Sequence, residues 1–217
     1  MLLNYLKEIM RGKDLYRILM NQECANYELS GLVLDVGSGP FDTAQGEGGA
    51  SYHRFFKKQP EVKIVPLDLK TGIDLEKDKL PYGDASVDMV LAFNVLEHIY
   101  NYRHLFSEIK RVLKPGGRVL GAMPFLVGYH PDPHDFWRYT SETLKKIFEE
   151  NGFNRAMITL LGRGPVTAAF SQAEFLCPRV LKIFLLPVIL LKDWVILKIR
   201  PSLRVKFPLG FFFSFYK

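Results

Sequence analysis

The sequence predicts an α/β domain built on a mostly parallel sheet with helices on both faces. Three observations carry this. Short apolar strand-like runs alternate with helical stretches through the middle of the chain, the pattern of βαβ units. The first strong run, Leu32–Val36 (LVLDV), passes directly into a glycine turn, GSGP at 37–40. The 217 residues are 48% hydrophobic and 24% charged, which fits a single domain over 1–217 with room for a sizeable core.

The elements follow in order. Leu3, Leu6, Met10, Ile18 and Leu19 are spaced for one amphipathic helix, within a helical entrance over 1–30. Lys7, Glu8, Arg11, Lys13 and Asp14 interrupt the apolar run a secretory leader would need. Ala50–Lys58 is predicted helical, Val62–Leu67 and Val87–Phe93 are strands, and Arg103–Leu113 is a helix with an apolar side. Lys114–Gly117 (KPGG) reads as a turn before a strand at Arg118–Met123. Ser141–Asn151 is a helix that Thr140 or Ser141 can cap and Gly152 stops. Met157–Leu161 and Phe207–Tyr216 are the last strands. Cys24 and Cys177 lie far apart without ligand spacing, which fits a reducing cytoplasm.

Charge narrows the partners. The net charge is +6, yet from Phe175 to Lys217 eight Lys/Arg face Asp193 alone, so the rest of the chain is close to neutral. Nucleic acid, which wants a basic face on the working domain, is not an expected partner. Residues 164–206 form an apolar, basic insertion before the last strand. Its longest uncharged run, Ile183–Leu191, has nine residues, against roughly 20 needed to span a bilayer. Two readings stand: a core-packing subdomain, or a peripheral membrane contact or substrate lid through 180–206. The second would place a cytoplasmic protein on the inner face of its membrane.

The glycine turn is the start of a site. Gly37 and Gly39 leave amides free for a ligand. The dinucleotide pattern G-x-G-x-x-G fails, because its sixth position is Asp42. Asp35 at the strand end repels a pyrophosphate and attracts an ammonium or sulfonium, so S-adenosylmethionine is favoured over NAD. Asp68 ends the second strand, where a carboxylate accepts ribose hydroxyls. Asp74 or the Leu75 amide can meet an adenine edge. Asn94 lies at the tip of Val87–Phe93, with Glu97 and His98 just beyond.

With VLDVGSGP, VPLDL, LPYGDASVDMVLAFNVLEHI and LKPGGRVLGAMP in place, the chain resembles class I S-adenosylmethionine-dependent methyltransferases of the type 11 kind, from about Leu32 to Leu161. The resemblance implies a Rossmann-like seven-stranded sheet, order 3-2-1-4-5-7-6, with strand 7 antiparallel. The interval from Asp68 to Val87 is short for a full third unit, so a degenerate third strand is expected. The resemblance also implies S-adenosyl-L-methionine as cofactor. It would be held by Asp35 and Gly37 at the methionine end, Asp68 at the ribose, Asp74 at the adenine and Asn94 at the strand tip. Ser38, Gly39, Leu69, Leu75 and Val95 would lie beside them. Phe41 replaces the family's third glycine, and AQGEGGASYHRFF at 44–56 lengthens the loop.

Tyr129–Thr140, YHPDPHDFWRYT, follows the fifth strand, and such loops line the ligand crevice of an open α/β sheet. On the substrate reading His130 or His134 is a general base with Asp132 beside it, and Phe136, Trp137 and Tyr139 form a stacking wall. On the structural reading Asp135, Arg138 and Thr140 pair with backbone and cap the next helix. Two prolines keep His130 and His134 off one helix, so no metal is expected. Glu97 and His98 are rival bases, His98 weighing toward packing. The expected activity is methyl transfer to oxygen or nitrogen of a small or lipid-linked acceptor, a sugar or glycolipid first. A non-catalytic cofactor-binding partner subunit is the alternative. A nucleotide-dependent oxidoreductase is disfavoured by Asp35 and Asp42.

Overall fold

A computed structural model describes residues 2–39 and 51–217. Expectations at Phe41, Asp42 and the first part of the lengthened loop, 44–50, lie outside the described residues. The chain runs α1 (Leu2–Met10), α2 (Leu15–Cys24), β1 (Glu28–Leu29), β2 (Leu32–Val36), β3 (Lys57–Lys58), β4 (Lys63–Leu67) and β5 (Val87–Phe93). It continues through α3 (Tyr102–Val112), β6 (Leu113–Pro124), α4 (Ser141–Glu150), β7 (Asn154–Leu161), α5 (Pro165–Ala173), α6 (Arg179–Ile199) and β8 (Gly210–Tyr216).

The main sheet has six strands in the order β4-β2-β5-β6-β8-β7. β4, β2, β5 and β6 are mutually parallel, and β8 runs antiparallel to both β6 and β7. The expected seventh strand, the third in sequence, is absent among the described residues. Between Leu67 and Val87 the chain makes a short 3-10 turn, Leu69–Thr71, and loops back. That interval is too short for both a crossover helix and an edge strand.

Period-two alternation sorts the strands into two cores. Leu34, Val36 and Val90 face α3 and α4 through Leu105, Phe106, Leu144 and Phe148. Val33, Met89, Leu91 and Phe212 face the helices of the other side through Ile18, Met20 and Leu186. Phe148 stacks on Phe215 with centroids 3.8 Å apart, fastening α4 to β8.

Several local expectations change. The single entrance helix is two, because Gly12 turns left-handed at φ +80° and Asp14 caps α2, accepting from Arg17 N at 2.6 Å. The helix expected at Ala50–Lys58 is a 3-10 turn, Ser51–Phe55, followed by β3. Lys57 and Lys58 leave the turn to pair in parallel with Glu28 and Leu29. The KPGG turn falls inside the span of β6. Val87 pairs with Leu113 and Met89 with Arg118, so the intervening residues bulge out, with Gly116 at φ +76° donating its N–H to Lys217 O.

The insertion between β7 and β8 is α5 and α6. Asp193 of α6 is buried and accepts from Val166 N and Thr167 N, each at 2.8 Å, and from the Thr167 hydroxyl. It thereby caps the first turn of α5 from another helix. A side chain at Gly164 would meet this carboxylate at 2.5 Å. Outward, α6 exposes Val180, Phe184, Val188, Leu191, Val195 and Ile199. These fall within one narrow arc of the helix. No helix among the described residues is long and apolar enough to cross a membrane.

Candidate active site

A cleft of about 720 Å³ opens beyond the carboxyl ends of β2, β4 and β5. Of the residues singled out in the sequence, Gly37, Asp68, Leu69, Asp74, Leu75, Asn94, Val95, Asp132 and His134 line it. Gly37 sits at φ +82°, and a Cβ there would lie 2.3 Å from Val95 Cγ2, so the turn requires glycine. Asp68 closes a capping box with Thr71: its Oδ1 accepts from Thr71 N at 3.0 Å while its own N–H donates to Thr71 Oγ1. Its Oδ2 faces Gly39, where a Cβ would lie 3.2 Å away. Asp74 accepts from Glu76 N and pairs with Lys77, whose ammonium holds the carboxyl below its ordinary value. Asn94, at φ +49°, accepts from Tyr16 Oη at 2.5 Å, which ties α2 to the strand tip.

Asp35 is placed elsewhere than the charge argument put it. Its carboxylate is fully buried and is held by Tyr52 Oη at 2.7 Å and His53 Nε2 at 2.5 Å. Period two turns it with Val33 onto the α2 side of the sheet. Ser38 is buried and donates to Gly39 O. Neither lines the cleft, and Gly39 borders it beside Asp68 and Lys70.

The loop after β6 makes the structural pairings expected of it, and some of its side chains also reach the cleft. Phe136 N and Trp137 N donate to Glu97 O at 2.7 and 3.2 Å, docking the loop on the segment after β5. Arg138 grips Asp135 bidentately at 2.5 and 2.7 Å, and Asp135 also accepts from His130 N. The guanidinium holds Asp135 well below the usual carboxylate range. Thr140 caps α4, accepting from Thr143 N. The stacking wall is different from the one expected. Tyr139 is buried, and Trp137 packs on the core with its indole N–H donated to Ile99 O. Phe136 faces the cleft with Tyr100, ring centroids 5.3 Å apart. Tyr100 was missed; its signal was an aromatic just past LEHI, within reach of the loop.

The histidines also separate. His134 lines the cleft beside Phe136. His130 does not; it turns to the buried Glu97, with Nε2 3.7 Å from Oε1, and the carboxylate raises its pKa. His98 lines the cleft, with Nε2 3.8 Å from the same oxygen. Glu97 is 0% exposed, and neither of its oxygens has a hydrogen-bond partner among the described residues.

The sheet and cleft define a doubly wound α/β protein with its ligand site at the strand ends, closed by an antiparallel strand. Residues 51–121 match a family model described as a methyltransferase domain. A probable S-adenosylmethionine-dependent methyltransferase from Mycolicibacterium smegmatis is 35% identical over 118 residues, 52% of this chain and 45% of the relative. The chain thus spans about half the length of the curated relatives it matches. A methyltransferase structure from Archaeoglobus fulgidus superposes with TM-score 0.52 at 17% identity, covering 98% of this chain and 99% of that one. Phosphoethanolamine N-methyltransferase 2 from Haemonchus contortus, in complex with S-adenosyl-L-methionine, superposes with TM-score 0.50 at 16% identity, covering 93% of this chain and 52% of that one. The resemblance to S-adenosylmethionine-dependent methyltransferases is borne out by the family match and the Mycolicibacterium relative, and the two solved structures share the fold.

Proposed function

We propose that the chain transfers a methyl group from S-adenosylmethionine to an oxygen or nitrogen of a small or lipid-linked acceptor, with a sugar or glycolipid as the first class to try. One observation carries the reading. Asp68, Leu69, Asp74 and Leu75 share one cavity with Asp132, His134 and Phe136. The first group suits an adenosine: a carboxylate for the ribose hydroxyls beside apolar and polar groups for the base. The second group suits an acceptor. Phe136 and Tyr100 offer an apolar face to a ring, and His134 with Asp132 offers proton acceptors. The cofactor supplies the reactive methyl, and the protein's task is alignment of donor and acceptor. A non-catalytic binding subunit has no need of this acceptor wall, which is why it ranks second.

The outward stripe of α6 supports a peripheral membrane contact through 180–206. Its apolar side chains are flanked by Arg179, Lys192, Lys198, Arg200, Arg204 and Lys206, a composition suited to an anionic surface. Co-sedimentation with anionic but not neutral vesicles is expected, and Phe184→Ser should weaken it. Equal recovery with both vesicle types would remove the membrane role.

Calorimetry with S-adenosylhomocysteine tests the cofactor side. Asp68→Ala should lower affinity about tenfold or more, the cost of a charged hydrogen-bond acceptor. Unchanged affinity would end the ribose assignment. His134→Ala should slow turnover by about a hundredfold with S-adenosylhomocysteine affinity unchanged. Normal rates on a working acceptor would remove His134 as base.

A further inference from the structure

Glu97, His98 and His130 bring three acceptor atoms to one point, all within 4.8 Å of one another. The hydrogen bonds on the far sides of the two rings decide what those atoms are. His98 Nδ1 lies 2.5 Å from His134 O, and His130 Nδ1 lies 2.8 Å from Gly128 O. A carbonyl oxygen only accepts, so each Nδ1 carries the proton, in His130 because its 2.8 Å contact to Gly128 O outweighs the 3.4 Å approach of Arg138 Nη2, and each Nε2 of a neutral ring presents a lone pair. Both lone pairs then turn toward Glu97 Oε1, at 3.8 and 3.7 Å. The carboxylate is buried and has no donor among the described residues. Three acceptors with no proton between them repel, and burial makes that costly. Something positive belongs among them.

We propose that Glu97, His98 and His130 form a site for a divalent transition-metal cation of the zinc or manganese kind, open on one side to the cleft. Two imidazoles and one carboxylate are a donor set for such ions, and they leave further coordination positions free. Ligands held about 2.0–2.2 Å from an ion at tetrahedral angles stand roughly 3.3–3.6 Å apart, so the two carboxylate–imidazole separations of 3.8 and 3.7 Å need a small contraction, and the two rings, within 4.8 Å, must close further. The two Nδ1–H···O=C bonds are the outer contacts that fix ring orientation in metal sites. His98 is the one of the three that lines the cleft, and it is from that side that an acceptor would reach the ion.

The consequence for chemistry rests on the oxygen-acceptor reading above. A hydroxyl bound at an open position loses its proton to solvent or to His134 more readily. Its oxygen then forms a bond to the methyl carbon as the carbon–sulfur bond breaks. The bonding pair returns to sulfur, leaving S-adenosylhomocysteine.

A proton on His130 is the rival way to satisfy Glu97, and metal titration separates the two. EDTA-treated protein is titrated with Mn²⁺ and with Zn²⁺, followed by calorimetry and by the Mn²⁺ spin-resonance signal. One equivalent should bind. Glu97→Gln and His130→Ala should each weaken binding at least about tenfold, while His104→Ala, a histidine away from the cleft, should not. If Glu97→Gln fails to fold, His130→Ala carries the test, since His130 is 40% exposed. No saturable binding by the unaltered protein, or equal binding by both ligand variants, overturns the site. S-adenosylhomocysteine titration of the same preparation keeps the proposals apart: cofactor binding without metal binding sinks only the metal site.

Discussion

Asp193 and Glu97 are both carboxylates buried to about the same degree, and they live in opposite circumstances. Asp193, in the insertion, has three donors: two backbone N–H groups and a hydroxyl. Glu97, behind the cleft wall, has no hydrogen-bond donor among the described residues and faces two ring nitrogens. A buried charge that is fully partnered holds a structure together; one left unpartnered is destabilising unless a ligand completes it. The insertion has used its carboxylate to join α5 to α6. The cleft has kept its own available.

Three substitutions test that contrast, from the largest effect to none. Asp193→Ala leaves two N–H groups and a hydroxyl buried without an acceptor, and should lower the urea unfolding free energy by about 3 kcal/mol. A loss under about 1 kcal/mol would mean that this carboxylate does not anchor the insertion.

Asp135 is intermediate: the residue is half-buried with its side chain 1% exposed, and it is paired to a cation, Arg138. Its folded pKa lies below its unfolded one. The stabilisation is therefore complete above the unfolded value of about 4 and is lost as pH falls toward the folded value. The unaltered protein should exceed Asp135→Asn by about 1–2 kcal/mol at neutral pH, with the gap closing in acid. A gap that persists undiminished well below pH ~3 would show that the ion pair is not its source.

Glu97→Gln completes the series. In metal-free protein it should change stability by less than about 0.5 kcal/mol, or raise it, because an uncompensated charge is removed. A drop beyond about 2 kcal/mol would mean Glu97 has donors and would erase the contrast.

Much of the fold was readable because its causes are local. Leu32–Val36 and Val87–Phe93 are strands with the expected bounds, since apolar runs bounded by turn residues encode themselves. Thr140 caps α4 as its position before a helical run suggested. Asp68, Asn94, Asp132 and His134 reach the cleft because loops beyond parallel strand ends share one side of the sheet. What misled was direction. Asp35 stood at a strand end near a glycine turn, and only the sheet's packing revealed that it faces Tyr52 and His53. Trp137 and Tyr139 looked like wall residues and are packed inward, while Tyr100 was passed over.

The sequence by itself determined an alternating α/β chain, a glycine-bounded strand end, a resemblance to methyltransferases and a basic, apolar insertion, because periodicity, turn chemistry and charge act between near neighbours. Tertiary structure alone decided that the sheet has six described strands, that Asp35 is used internally, and that His130 crosses from one loop to meet Glu97 and His98 on another. Those outcomes depend on which face a side chain presents and which distant segments meet, and no short-range pattern carries that information.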